Sequence, residues 1–182
     1  LAALFADDIF VPDDYVIVPP GAGLTATLRA FELARSLLAG NAVGISRAAL
    51  SLAVEYAKVR KQFGQPIGSF QMIQSMIADM HIRTDTAAFL TNRALWLMDH
   101  GKRCDTESSM AKYYATEASV LTASECVQVF GAYGYSPEYR AERFFRDARM
   151  TTIPDGTSQV QKLIVARGLL GLSAFAELEV IT

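Results

Sequence analysis

The sequence predicts a mainly α-helical fold, an antiparallel four-helix bundle with a short β-type segment at its N-terminal end. Three observations predict it. Apolar residues recur at three- and four-residue steps from Thr25 onward, which is the spacing of one helix face. Short segments containing Gly or Pro separate the helical runs, so consecutive helices are expected to turn back on one another. Strand-type residues are concentrated in residues 1–24.

The first segment, residues 1–24, alternates between strand-type and turn-type residues. Residues 9–11 and 15–18 are β-branched or aromatic, whereas residues 12–14 and 19–21 contain Pro, Asp and Gly. β-Branched and aromatic residues favour strands, and Pro, Asp and Gly favour turns. We therefore expect one or two short strands joined by turns.

Two long helices are predicted next. The first runs from about Thr25 to Val59 and must end before Pro66, which cannot continue a helix. Gly40 and Gly44 lie one turn apart on it, and we expect them to let another helix approach closely. The second runs from about residue 70 to residue 100 and is followed by a glycine, a common C-terminal cap.

The remaining helices are a long one and two shorter ones. The third helix is predicted from about Thr106 to Phe130, and a Gly/Tyr/Pro segment follows it. A short amphipathic helix covers about residues 140–149, and residues 150–156 form a loop. The closing helix begins at Thr157 and Ser158, because both are good N-cap residues.

Composition excludes several classes of protein. The chain has 182 residues, 51% of them hydrophobic, which fits one domain with a sizeable core. A net charge of −2 gives no reason to propose nucleic acid as a partner. The uncharged stretch Tyr15 to Leu28 has 14 residues, with two prolines and two glycines, and is too short to span a membrane. Two cysteines, Cys104 and Cys126, form neither a disulfide framework nor a metal site, which suits a reducing compartment.

One segment with possible chemistry lies at the end of the first helix. Arg60, Gln62 and Phe63 follow one another closely there. Arginine recognises phosphate in a planar, bidentate way, and phenylalanine offers a stacking face. The segment therefore suits a nucleotide diphosphate. A solvated basic helix terminus is the alternative from the residues alone.

A second segment precedes the last helix. Asp155 lies in a loop after the apolar Ile153, next to Thr157 and Ser158. The first free amide groups of a helix bind anions, and they suit a flavin edge as well. From the residues alone, Asp155 and Thr157 are equally well explained as ordinary capping residues.

Together these segments resemble signatures of the acyl-CoA dehydrogenases. Residues 60–67 resemble the first helical signature of that family. Residues 128–135, 142–148 and 153–161 resemble the later signatures, in the same order and spacing. Residues 4–12 resemble the last strand of the family's middle β-domain. The resemblance covers nearly the whole chain.

The resemblance implies a division of the chain into two parts. Residues 1–24 would be the end of the middle β-domain and a linker, and residues 25–182 the C-terminal four-helix bundle domain. In the family this domain pairs with its counterpart, and FAD lies across the interface. A homodimer or homotetramer is therefore expected, without a metal ion.

The resemblance also implies residues that contact ligands. Eight residues are implied to contact FAD: Arg60, Gln62, Phe63, Gln128, Gly131, Ala132, Thr157 and Gln159. Of these, Arg60, Gln62 and Phe63 would hold the pyrophosphate and adenosine part of a neighbouring subunit's FAD. The residues implied to contact the thioester substrate are Arg35, Glu32 and Gly156. The expected substrate is an acyl group on CoA or on a carrier protein.

The family's catalytic base is usually a glutamate before the Gly-Thr of the last signature, and Asp155 stands there in this chain. Pro154 occupies a position that is usually aromatic. A branched-chain subgroup places the base at the position of Ala34, and alanine cannot accept a proton. The resemblance thus implies that Asp155 removes the α-proton of the acyl thioester while flavin N5 accepts the β-hydrogen as hydride.

Aspartate is one methylene shorter than glutamate, about 1.5 Å of reach, and a misplacement of about 1 Å can lower a rate on the order of 100-fold. Some members of the family that act on ring-bearing acyl groups have aspartate at this position, so the resemblance implies a cyclic or otherwise unusual acyl chain.

Two other functions stay open at this stage. One is a family member that has lost dehydrogenation, which would be a flavin-binding or oligomerising subunit, or an oxidase or monooxygenase-like relative. The other is a helical interaction module without a cofactor. We expect a cytoplasmic location, or the mitochondrial matrix in a eukaryote, and an electron-transfer acceptor as a further partner. Because little of the middle domain is in this chain, we expect the chain alone to bind FAD weakly and to be inactive.

Overall fold

A computed structural model describes residues 2–174. Within this range the chain forms five α-helices, which are α1 (Gly23–Val59), α2 (Gln71–Asp99), α3 (Asp105–Phe130), α4 (Ala141–Thr151) and α5 (Ser158–Leu170). The prediction of a mainly α-helical fold is confirmed, and the predicted helix ends agree with the observed ones to within two residues. Residues 175–182 of the predicted domain lie outside the described residues.

Contacts between the helices establish an up-down-up-down bundle. The N-terminal halves of α1 and α3 lie together, because Glu32 and Asp105 share a side-chain hydrogen bond. Their C-terminal ends also lie together, because the Tyr56 and Phe130 rings stack with centroids 3.8 Å apart. Helices α1 and α3 therefore run parallel, and α2 and α5 run antiparallel to α3. Four pairs establish these last two directions: Arg83–Glu125 and Arg93–Glu107 between α2 and α3, and Ser158–Glu117 and Gly168–Thr106 between α5 and α3.

Helix α3 packs against all four other helices. The contacts among α1, α2 and α3 consist largely of small side chains, and small side chains let helix axes approach closely. The buried alanines are Ala39, Ala42, Ala49, Ala53, Ala57, Ala87, Ala94, Ala111, Ala115, Ala118 and Ala123. Larger apolar side chains close the core at one end, around Met80, Phe130 and Tyr56.

The N-terminal segment differs from its prediction. Residues 2–22 contain no strand, and their one regular feature is a 3-10 turn at Asp13–Tyr15. Phe5, Phe10 and Ile17 are largely exposed. A strand needs a neighbouring strand for its backbone hydrogen bonds, and the described chain offers none here. The prediction of strands in this segment is therefore wrong for the described part of this chain.

The expectation for Gly40 and Gly44 is also wrong within this chain. Both glycines are exposed, and a Cβ atom placed on either one would have no packed neighbour within 4 Å. They lie on the outer side of α1, whereas Ala39, Ala42 and Val43 face the core. No helix of residues 2–174 approaches α1 at these glycines.

Among the described residues, α1 has the length and the apolar composition that a membrane-crossing helix needs. Core helices of soluble proteins meet the same criteria, so this is weak grounds for a membrane span. The buried residues of α1 pack against α2 and α3. Arg35 and Lys58 lie on the same helix, and Arg35 is buried within the bundle.

The closed end of the core gives a stability prediction. Met80 on α2 is completely buried, whereas Met72 on the same helix is 78% exposed. Met80→Ala should lower the free energy of unfolding by about 2–5 kcal/mol, because it removes apolar contacts and leaves a cavity. Met72→Ala is the matched control and should change it by less than about 0.5 kcal/mol. Urea unfolding followed by circular dichroism measures both, and equal effects would contradict the packing described.

Candidate functional site

A β-hairpin follows α1. Strand β1 (Lys61–Gln62) pairs antiparallel with β2 (Gln65–Pro66), and the turn between them has two residues. Both turn residues, Phe63 and Gly64, have positive φ angles, +52° and +81°. Two-residue turns of this kind match the twist of a hairpin and favour Asn-Gly or Gly-Gly. Phenylalanine is unusual at the first turn position, because a bulky side chain is strained at positive φ.

The side chain of Phe63 is exposed to the extent of 93%. Its one described ring contact is an edge-to-face contact with Phe70, at 6.0 Å between centroids. A strained backbone with an exposed ring is not explained by packing, and such combinations are concentrated at ligand sites. This observation favours the stacking interpretation of the segment over that of a plain helix terminus.

Arg60 links the hairpin to the end of α3. Its guanidinium lies over the Tyr133 ring at 5.6 Å from the centroid, and no carboxylate of residues 2–174 forms an ion pair with it. Tyr133 belongs to the 3-10 turn Gly131–Tyr135, which follows α3 directly. The structure thus brings six predicted FAD contacts to one end of the bundle, all of them exposed, and we call this group the hairpin end: Arg60, Gln62, Phe63, Gln128, Gly131 and Ala132.

The remaining predicted residues lie around the loop between α4 and α5, residues 152–157, which we call the base loop. Asp155 and Gly156 have φ angles of +56° and +92°. Thr157 is the N-cap of α5, and its hydroxyl accepts a hydrogen bond of 3.5 Å from the Val160 amide. Gln159 is exposed and Asp155 is half-buried. The capping interpretation of Thr157 is therefore confirmed, and it is compatible with a second role.

Three side chains donate hydrogen bonds to carbonyl oxygens of the base loop. Lys112 Nζ contacts the oxygens of Thr152 and Gly156 at 3.1 and 2.9 Å. Gln161 Nε2 contacts the oxygens of Asp155 and Gly156 at 3.1 and 2.9 Å. Arg35 Nε lies 3.4 Å from the Asp155 oxygen. Helices α1, α3 and α5 therefore all restrain this loop.

Gly156 is required by this arrangement. A Cβ atom at this position would lie 2.6 Å from Gln161 Nε2, and the φ angle of +92° disfavours any side chain. Gly156 therefore has a structural reason to be glycine, independent of the substrate contact that the resemblance implies.

Charged groups surround Asp155. Burial lowers the pKa of Lys112 to about 8, while the nearby carboxylates of Asp155 and Glu117 act in the opposite direction. Burial also lowers the pKa of Arg35, again opposed by acidic neighbours, among them Asp155. The Asp155 carboxylate thus lies within the electrostatic range of two buried cations.

A groove of about 1020 Å³ opens beside Arg35, between the start of α1, the α2–α3 connection and α5. Glu32 and Asp105 share a side-chain hydrogen bond in it. This bond, together with burial, raises the pKa of Glu32 to about 7. The same bond lowers the pKa of Asp105, against the opposite effect of burial. The predicted substrate contacts Arg35 and Glu32 are therefore neighbours, and Gly156 lies close to Arg35 through the Asp155 carbonyl.

Sequence reasoning missed Lys112 and Gln161. Lys112 occurs on α3 at helical spacing from Ser108, Thr116 and Ser119, and all four residues are completely buried. A lysine on the buried face of a helix needs polar partners. The helical spacing of Lys112 with these small polar residues could therefore have indicated that it is buried and hydrogen-bonded. Nothing in the sequence alone indicates which oxygens it contacts, because they lie about 40 residues away.

Comparison with known proteins matches this arrangement to one family. The family model described as acyl-CoA dehydrogenase, C-terminal domain, matches residues 21–170. The chain belongs to the acyl-CoA dehydrogenase family. The resemblance seen in the sequence signatures is thereby confirmed.

Individual relatives agree with this family membership. A probable acyl-CoA dehydrogenase of Bacillus subtilis is 40% identical over 169 residues, which are 93% of this chain and 44% of that protein. The butyryl-CoA dehydrogenase structure from Megasphaera elsdenii has a TM-score of 0.86 at 37% identity, covering 88% of this chain and 42% of that one. The structure of PigA with FAD and proline has a TM-score of 0.85 at 32% identity, covering 90% and 43%. The chain thus spans less than half the length of these proteins.

The Glu32–Asp105 pair gives a prediction about pH dependence. The pKa of Glu32 is about 7 in the folded state against an ordinary 4.5, so the folded state binds this proton more tightly. Its contribution to stability is present below about pH 4.5 and is lost as the pH rises to about 7. Glu32→Gln is uncharged at every pH and should lack this loss.

Urea unfolding at several pH values between 4.5 and 8 measures the difference between wild type and Glu32→Gln. Glu55→Gln, at an exposed position of α1, is the matched control and should keep the wild-type dependence. A Glu32→Gln profile parallel to that of wild type would show that the two carboxyl groups do not share a proton.

Proposed function

We propose that the protein carrying this chain catalyses FAD-dependent α,β-dehydrogenation of an acyl thioester, with Asp155 as the base. One observation carries the proposal: in a chain of this family, the carboxylate at the base position is half-buried, in a left-handed conformation and close to two buried cations. A capping residue alone needs neither the strained backbone nor the cations.

The residues at the hairpin end fit a flavin dinucleotide. The exposed Phe63 ring is available for stacking, and the Arg60 guanidinium has no carboxylate partner among the described residues. A guanidinium is the preferred ligand of a diphosphate. Glu117 lies beside the base loop, because Ser158 donates a hydrogen bond to it, and Phe130 directly precedes Gly131 of the hairpin end. These two residues are 13 residues apart on α3, about 20 Å, so the hairpin end lies well away from the base loop. We therefore propose that the hairpin end contacts the adenosine and diphosphate half of FAD, across an interface with a like subunit.

The chain's own residues then have distinct roles in the reaction. Asp155 accepts the α-proton of the acyl group, and a Cα=Cβ double bond forms as the β-hydrogen leaves with its electron pair. FAD, when bound, supplies the acceptor for that hydride. Arg35 and Lys112 hold the backbone of the base loop through its carbonyl oxygens. Thr157 and Gln159 at the start of α5 are proposed as further FAD contacts, beside the free amide groups of the helix.

The substrate is proposed to enter through the groove beside Arg35 and Glu32 and to contact Gly156, which is near Arg35 through the Asp155 carbonyl. Aspartate reaches about 1.5 Å less far than glutamate, so the α-carbon must come closer to the loop. A compact or cyclic acyl chain on CoA or a carrier protein fits this requirement best.

Partners are proposed on similar grounds. The homodimer or homotetramer would cover the outer face of α1, where Leu33 and Leu37 are more than half exposed beside Gly40 and Gly44. An electron-transfer acceptor would reoxidise the flavin. Cys104 and Cys126 are both free and buried, which agrees with a reducing compartment such as the cytoplasm.

Asp155→Asn tests the proposed base. In the full-length protein it should slow bleaching of the flavin by an acyl-CoA by about 100- to 10,000-fold, the usual contribution of a general base, while FAD is retained. Stopped-flow absorbance at the flavin band measures the rate. Asp147→Asn is the matched control and should keep the wild-type rate, because it makes the same replacement of carboxylate by carboxamide at an exposed position of α4.

The outcome separates the proposed activity from its alternative. Wild-type protein that retains FAD but is bleached by no acyl thioester would be a member of the family without dehydrogenation. Bleaching at the wild-type rate in Asp155→Asn would exclude this residue as the base.

Phe63→Ala tests the hairpin end. Loss of a stacking ring should weaken FAD binding to the full-length protein about tenfold, measured as the dissociation constant by flavin fluorescence. Phe89→Ala removes another exposed ring, on α2, and should leave the constant unchanged. Equal constants for wild type and Phe63→Ala would rule out stacking at the turn.

A further inference from the structure

Lys112 is buried without an ion-pair partner. Its exposure is 0%, and no carboxylate of residues 2–174 lies within salt-bridge distance of its Nζ atom. Transfer of an ammonium group out of water is costly unless hydrogen bonds replace the lost hydration. The replacements here are the carbonyl oxygens of Thr152 and Gly156. A methionine at this position would fill similar volume without that cost, so packing alone does not explain a lysine.

The two oxygens that Lys112 contacts lie on either side of Asp155. One belongs to the last residues before the strained part of the loop, and the other to the residue immediately after Asp155. A single Nζ atom therefore fixes the distance between the two ends of a five-residue segment. The orientation of the peptide planes around Asp155 follows from it.

The loop between these two points is held under strain. Asp155 and Gly156 both have positive φ angles, and this backbone conformation is strained for a non-glycine residue. Such a conformation persists only where surrounding contacts determine it. Gln161 contacts only the neighbouring Asp155 and Gly156 oxygens, and Arg35 contacts only the Asp155 oxygen. Neither side chain reaches Thr152 at the start of the segment. Among the side chains that contact the loop, Lys112 spans the whole segment, and the Ser158 amide adds a backbone hydrogen bond of 3.2 Å to the Thr152 oxygen.

We propose that Lys112 is a positioning residue for the catalytic carboxylate: its ammonium bridges the Thr152 and Gly156 carbonyl oxygens and thereby sets where Asp155 points. The proposal rests on the proposed function, because it acts through Asp155. Position matters more for aspartate than for glutamate, since the shorter side chain has fewer rotatable bonds with which to correct an error. A displacement of about 1 Å is worth on the order of 100-fold in rate.

The test uses the full-length holoenzyme and bleaching of its flavin by butyryl-CoA or cyclohexane-1-carbonyl-CoA, whichever bleaches the wild type. Lys112→Met should lower the limiting bleaching rate on the order of 100-fold, with half-saturation and FAD retention within threefold of wild type. Lys112→Arg keeps a cationic donor and should recover at least a tenth of the wild-type rate. Thr116→Val is the control, because the Thr116 hydroxyl bonds only carbonyl oxygens of its own helix, α3, and it should keep the wild-type rate.

A double-mutant comparison separates positioning from general structure. If Lys112 acts through Asp155, adding Lys112→Met to Asp155→Asn should slow the residual bleaching by less than twofold. A further loss on the order of 100-fold would overturn the proposal, as would a Lys112→Met enzyme that keeps FAD and the wild-type rate.

A second variant covers the case in which Lys112→Met does not retain FAD. Gln161→Met removes the side-chain amide that donates to the Asp155 and Gly156 oxygens, and it leaves Lys112 in place. It should lower the limiting rate less than Lys112→Arg does, since Lys112 still spans the loop, and a larger loss would overturn the ranking on which the proposal depends. An Asp155→Asn enzyme with full activity would instead refute the proposed function itself.

Discussion

Close packing of α1 against α3 is the constraint on which the arrangement of this chain depends. The two helices run parallel, and their contact is made of alanines, so side chains at matching levels of each helix become neighbours. At one end this brings Arg60 next to Tyr133, and at the other it brings Arg35 toward the loop that Lys112 holds. Both groups of candidate residues are thus positioned by one helix pair.

The two groups are stabilised in different ways. The hairpin end consists of exposed residues on the hairpin, on the last turn of α3 and on the 3-10 turn after it. Aromatic rings contact two of these residues, Arg60 and Phe63. The base loop is restrained from three helices, and its restraints act on backbone oxygens rather than on the Asp155 side chain. The side chain that is proposed to react thus remains available, while the backbone that carries it is fixed.

The sequence predicted the helices well because each has a long apolar repeat and a clear end signal, such as Pro66 after α1 or Thr157 before α5. It did not predict the absence of strands in residues 2–22, because strand-type residues form strands only where another strand is present. It placed Asp155 correctly in a loop and Phe63 at a helix end, where the structure has the turn of a hairpin. It missed Lys112, whose partners are distant along the chain. Local signals predict elements, whereas contacts between remote residues need the fold.

The hairpin carries a consequence for how the protein can vary. The ring of Phe63 is at the tip of a turn and touches little of the bundle, so exchanging it for another side chain would leave the interior undisturbed. Affinity for a cofactor can therefore change there by small steps without endangering the ability to fold. The buried lysine allows no such freedom, since any replacement has to fit among packed helices.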